Sequence, residues 1–301
     1  MSLEFKDGFV SQPRKRWIVN GVLVLAVLAF VGVSMVPLIA AFNQTQSSTQ
    51  KPANTRSGSP SSDQKSKLED AARGYEQVLQ RESENQTALR GLLETRLQLL
   101  SLGAGDIKSV IEPLEKLAKL NPEQTRYAVL LAQAKQQIGD REGAAQAYRS
   151  VLENKPGDLE ALQGMVALLL AQKRPEAAVG LLQDTLKTAS QANKIQPGSI
   201  DTVAVQVLLG NVQASQKSYA QALSVYDQAI KNDQQDFRPV LAKAMLLKEQ
   251  GKTEEAKILF TKAAALAPTQ YKDEINKQAS ASPTPSPSPT STPTPNSTPK
   301  E

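Results

Sequence analysis

One spacing constrains this chain more than any other feature: a set of small, aromatic and proline residues returns at intervals of 34 positions. From the turn Gly139-Asp140 the series runs Ala144, Tyr148, Val151, Leu152 and Pro156. From Gly251-Lys252 the same offsets give Ala256, Phe260, Ala263, Ala264 and Pro268, and from Gly105-Asp106 they give Val110, Leu114, Leu117, Ala118 and Pro122. Two further copies lack the glycine. Lys173 leads to Ala178, Leu182, Thr185 and Leu186 with Ser190 in the proline's place, and Lys217 to Ala222, Tyr226, Ala229 and Ile230 with Gln234 there. A partial copy (Ala71, Tyr75, Val78, Leu79) has no first helix before it. The intervals between turns are 34, 34, 44 and 34, and the long one holds an inserted stretch at 191–201. A strict period of this length is the mark of stacked supersecondary units.

Each turn separates two stretches of about a dozen residues with apolar positions at three- and four-residue intervals, as one buried helix face requires. Leu131 and Ala132, Met165 and Val166, and Leu209 and Gly210 mark that face in the first stretches. Antiparallel helices on a short turn approach closely only where a side chain is small enough to admit the facing ridge. Proline closes the second helix because it cannot continue one. Aromatics make up only 4% of the chain, so the core is expected from Leu, Ala, Val and Ile in close-packed helices.

These residues resemble the tetratricopeptide-repeat (TPR) family, whose unit is a 34-residue helix–turn–helix. The resemblance implies an all-α solenoid: a half unit at 64–84, units at 85–122, 123–156 and 157–190, a loop at 191–201, units at 202–236 and 237–268, and a capping helix at 269–279. It is strongest over 238–268 and weakest in the first full unit, whose turn carries two extra residues.

Ahead of the repeats, residues 17–42 contain no charge. As a helix this run would reach about 39 Å, enough to cross a hydrocarbon core of about 30 Å. It exceeds the apolar core of a signal peptide, so a single uncleaved transmembrane helix is expected there, contacting the lipid bilayer. Residues 1–16 form a basic flank with Lys6, Arg14, Lys15 and Arg16, against Lys51 and Arg56 after the span. The bias favours a cytoplasmic N-terminus with the repeats translocated across a plasma or thylakoid membrane. Residues 43–63 read as a flexible linker. Residues 280–301, with seven of the 18 prolines, read as an extended tail, a spacer in preference to a docking strip.

Chemistry is narrowed by what the chain lacks. It has no His and no Cys, which removes thiolate nucleophiles, zinc sites of the usual ligand types and imidazole acid–base catalysis. No glycine-rich phosphate loop is present, so neither cofactor nor enzymatic activity is expected. Of the net charge of +5, residues 1–61 around the apolar run carry +4, and the middle of the chain holds 28 basic against 27 acidic residues. That balance argues against nucleic acid as a partner.

Protein partners are what the family resemblance implies, held in a concave groove lined by the first helices. Helical spacing assigns Arg90 and Glu94 to the groove in the first unit, then Arg126, Val129 and Gln133, then Gln163, then Val207 and Asn211, then Arg238, Leu241, Met245 and Lys248. The family's best-known ligand, a chaperone carboxylate peptide, is gripped by Lys, Asn and Arg on consecutive first helices. Only Asn211 matches that set, which argues against the clamp. The strip mixes apolar and amide side chains, suited to an amphipathic helix or extended segment. The architecture of anchor, linker, repeats and Pro-rich tail resembles membrane-anchored TPR proteins of thylakoid biogenesis in cyanobacteria and plastids. That resemblance implies an assembly factor holding clients at a bilayer. The alternative is a bacterial envelope TPR protein beside the secretion translocon and its chaperones.

Overall fold

A computed structural model of the chain describes residues 62–281. Among the described residues all regular structure is helical. The order is α1 (Ser62–Arg81), α2 (Gln86–Ser101), a 3-10 turn (Ile107–Val110) leading into α3 (Ile111–Leu120), α4 (Thr125–Gln137), α5 (Arg141–Asn154) and α6 (Leu159–Ala171). There follow α7 (Pro175–Ile195), α8 (Thr202–Ser215), α9 (Tyr219–Asn232), α10 (Phe237–Glu249), α11 (Thr253–Leu266) and α12 (Thr269–Ser280). Consecutive helices pack as pairs, and the first helices α4, α6, α8 and α10 also touch one another in series, so one layer stacks on the next.

The periodic residues build the core. The small position five residues after each turn is buried in every full unit, at Val110, Ala144, Ala178, Ala222 and Ala256. So is the bulky position four residues later, at Leu114, Tyr148, Leu182, Tyr226 and Phe260. The half unit behaves differently. Ala71 and Val78 are exposed, because no described helix precedes α1 to cover the face on which they lie.

Every first helix ends alike. The second residue after the helix donates its amide three residues back, and the next residue reaches five back, at 2.9 Å in all five turns (Ala104 to Leu99, Asp140 to Lys135, Arg174 to Leu169, Ser218 to Gln213, Lys252 to Leu247). This closure needs a left-handed residue, which is glycine at 103, 139 and 251. In the first unit it is Gly103, with Ala104 and Gly105 as the extra residues before Asp106 caps the 3-10 turn. Lys173 and Lys217 take the same conformation, at φ 59° and 60°. A β-carbon there costs about 1–2 kcal/mol, and both lysines are solvent-exposed. Lys173→Gly and Lys217→Gly are each expected to stabilise the fold by about 0.5–1 kcal/mol after the added flexibility of the unfolded chain. A thermal midpoint that falls in either variant would contradict this.

The insertion differs from expectation. The loop assigned to 191–201 begins only after Ile195: Ser190 stands where three of the other units carry proline, so the helix is free to run on. The remaining residues fold back onto the array. The Asn193 side chain accepts from the Ile200 amide (2.9 Å) and the Ser199 hydroxyl (3.0 Å) and donates to the Ile200 carbonyl (2.9 Å). Ile200 is buried, and the loop lies so close to Gly157 that a β-carbon there would come within 2.4 Å of the Ser199 carbonyl.

At the far end, α12 takes the place of a further first helix. Tyr271 stacks on Phe237 with ring centroids 5.4 Å apart, and Ile275 is buried against α10 and α11. Among the described residues no helix is long and apolar enough to cross a membrane. The anchor expected at 17–42, residues 43–61 of the linker and residues 282–301 of the tail lie outside the described residues.

Candidate functional site

The candidate surface is the side of the first helices turned away from their second helices. On α2, Arg90 and Glu94 are exposed, and the Arg90 guanidinium donates to Gln86 Oε1 one turn back at 2.8 Å. Arg126 is exposed at the start of α4, while Gln133, Gln163 and Val207 are half-buried on α4, α6 and α8. Met245 is 39% exposed on α10.

Two residues assigned to the open face are core instead. Val129 is 2% exposed and Leu241 7%. Each belongs to a cluster that includes the following helix layer: Ala161 and Leu162 of α6 join the cluster of Val129, and Ile275 of α12 that of Leu241. Spacing along one helix cannot report such coverage, since it depends on how bulky the next unit is at the contact.

Two assigned cations are already engaged. Arg238 lies between the capping carboxylates of α8 and α10. Its Nη1 donates to Asp201 at 2.8 Å, its Nε to Asp236 at 3.0 Å, and its Nη2 to both. Burial pushes the Asp201 carboxyl up, but hydrogen bonds from Arg238 and the Ala204 amide outweigh it, together with the guanidinium charge, and hold it below the usual aspartate value. A lowered folded-state pKa contributes stability that is complete above the unfolded value of about 3.9. That contribution is lost as pH falls through the folded value. Because both groups are partly exposed, solvent screening limits the term to under about 1 kcal/mol. An Asp201→Asn chain should therefore show a shallower acid-side decline in urea midpoint below about pH 4 than the parent. Parallel declines would argue against the pair.

Lys248 is also spent. Its Nζ donates to the backbone carbonyls of Gln278 and Ala279, capping the C-terminal end of α12, and lies 5.5 Å from the centroid of the Phe260 ring. The contacts of Arg238 with Asp201 and of Lys248 with the end of α12 reach 37 and about 30 residues along the chain, far beyond any local pattern.

Beyond the exposed Arg90, Glu94 and Arg126, what remains open is amide and apolar. Asn211 Oδ1 accepts the hydroxyl of buried Tyr226 at 2.7 Å, and Gln136 Oε1 accepts that of Tyr148 at 3.0 Å. Each tyrosine thus orients an amide of its own unit's first helix. In the repeat pattern alone the two tyrosines read as core filling only. The available signal was a tyrosine at the aromatic position with an amide 12 or 15 residues before it. Among the described residues no group of three or more His, Cys, Asp or Glu side chains is placed to hold a metal ion. The arrangement contains hydrogen-bond donors, acceptors and apolar surface.

Comparison with known proteins agrees with this architecture. Family models described as tetratricopeptide repeat match residues 137–196 and 239–270. Cellulose synthase operon protein C of Pseudomonas fluorescens (strain SBW25) is 32% identical over 113 residues, covering 35% of this chain and 9% of that protein. The chloroplastic protein SLOW GREEN 1 of Arabidopsis thaliana is 26% identical over 186 residues, covering 62% of this chain and 56% of that one. The chain thus spans less than two thirds of the length of either relative. A solved tetratricopeptide-repeat protein from Parabacteroides merdae ATCC 43184 superposes with a TM-score of 0.44 at 14% identity, covering 72% of this chain and 78% of that one. With two separate stretches matching the repeat and twelve α-helices stacked in sequence, the described chain is an all-helical tetratricopeptide-repeat solenoid.

Proposed function

We propose that this chain is a membrane-tethered scaffold that holds client proteins at a bilayer during assembly, in the manner of thylakoid-biogenesis repeat proteins. The reading extends to a role like that of the protochlorophyllide-oxidoreductase-interacting TPR protein, with pigment-synthesis or photosystem-assembly proteins as clients. The observation that carries the scaffold part is the layer of first helices. Over α6 and α8 its open face presents amides and apolar groups, and on α10 Arg238 and Lys248 are already paired within the fold. Such a face offers contact area and hydrogen bonds to a polypeptide and no reacting group. The tether rests on the uncharged run 17–42. The thylakoid setting draws support from the similarity to a protein whose name places it in the chloroplast.

Crosslinking in the native membrane, with identification of the crosslinked proteins, tests the reading. Recovery of pigment-synthesis or photosystem factors supports it. Recovery of secretion-translocon subunits instead would transfer the chain to the bacterial envelope. Protease added to sealed vesicles tests the orientation, with the repeats protected from the cytoplasmic side if the charge bias governs.

A further inference from the structure

The middle of the first-helix layer has a property that its ends lack. From Ala161 to Gln172 across α6, and from Thr202 to Gln216 across α8, there is no Asp, Glu, Lys or Arg. The two helices touch. They present matching half-buried positions in the same register: Gln163, Ala167 and Leu170 on α6, and Val207, Asn211 and Ala214 on α8. The tyrosine contact fixes the Asn211 amide, because its Oδ1 takes the Tyr226 hydroxyl at 2.7 Å. Its Nδ2 is left as a positioned donor within an otherwise nearly apolar wall.

We infer that this wall is the client-binding centre and that it selects an uncharged, apolar-rich segment of client polypeptide. The inference rests on the scaffold reading and deepens it. A charged residue brought against α6 and α8 would lose hydration with no counter-charge to replace it. On the α10 side, Arg238 and Lys243 are already paired with Asp201, Asp236 and Asp227. Two helices of about 20 Å set about 10 Å apart present roughly 400 Å². That is about half of what one partner buries in a standard interface. The area therefore suits one segment of chain rather than a folded domain. Asn211 supplies the polar contact, which calls for a carbonyl acceptor at the centre of the segment.

The test uses the full chain in a non-denaturing detergent, with detergent alone as the blank. Three labelled twelve-residue peptides are titrated by fluorescence anisotropy: one of Ala, Leu, Val, Gln and Ser, one with two central Glu, and one with two central Lys. The uncharged peptide is expected to bind at least tenfold more tightly than either charged one. Val207→Glu and Ala167→Glu should each weaken the uncharged peptide at least tenfold and improve binding of the Lys peptide. Ile258→Glu, at a site 71% exposed on α11, should change neither. Circular dichroism confirms that each variant retains its helices. Charged peptides binding within threefold of the uncharged one, or an unchanged affinity in Val207→Glu, overturns the inference. If Val207→Glu still crosslinks the native clients, the wall is wrong and the scaffold reading stands. If the parent chain binds neither peptide nor client, both fall.

Discussion

Tyr226→Ala is expected to cost the array about 3–5 kcal/mol, the range for deleting a buried aromatic. The ring is 1% exposed and forms a small cluster with Ala222 and Leu246. It therefore connects the fourth unit to the fifth as well as the two helices of its own unit. A β-carbon on Gly210 would stand 2.3 Å from the ring, so the backbone of α8 lies directly against it. Truncation leaves a void that neighbouring small residues cannot fill. Tyr226→Phe should cost only about 1 kcal/mol, since it keeps the ring and loses one hydrogen bond to partly exposed Asn211. Urea unfolding followed by circular dichroism separates the two. Equal midpoint shifts for Ala and Phe would mean that the hydroxyl, and not the ring, carries the contact.

A double-mutant cycle at Gly164 and Tyr148 should give the other large effect. In an exposed helix, glycine to alanine stabilises by about 0.5–1 kcal/mol. Here a β-carbon at 164 would come 2.3 Å from the Tyr148 ring. The ring has no room to retreat, being 1% exposed with its hydroxyl held by Gln136. Gly164→Ala alone is expected to destabilise by about 1–3 kcal/mol through overpacking. In a Tyr148→Ala background the clash disappears, and the same change should stabilise by the ordinary helix preference. The sign reversal corresponds to a coupling of about 2 kcal/mol, well above the scatter between independent sites. If Gly164→Ala destabilises equally in both backgrounds, the close approach of α6 to Tyr148 does not exist.

How much of this was legible beforehand depends on the range of the contact involved. Ala144, Ala178, Ala222 and Ala256, and the aromatics Tyr148, Tyr226 and Phe260, are readable because the helix pair that buries them recurs with every unit. The end of α7 was only partly readable. The missing proline at Ser190 is visible in the sequence, but the unit of Gln234 lacks it as well and its helix still stops at Asn232, so the run to Ile195 is not readable from that position alone. Val129 and Leu241 were misplaced because the layer that covers them belongs to the next unit. Lys248 and, through Asp201, Arg238 looked like ligand contacts because those partners lie too far along the chain for a local pattern to reveal, although Asp236 stands only two residues from Arg238. Asn211 was picked as the one match to a clamp. Its actual setting, oriented by Tyr226 in a wall without charge, emerges only when α8 and α9 are seen together.

The loop that closes on Gly157 has a consequence for how the array comes apart. In a linear stack each unit depends only on the one before and the one after, so melting can creep inward from either end one unit at a time. Seating Ile200 against the entrance of α6 joins two entrances a full unit apart, those of α6 and α8. The third and fourth units should then open together or not at all. The outer units would fray first, leaving a central block that melts in one step.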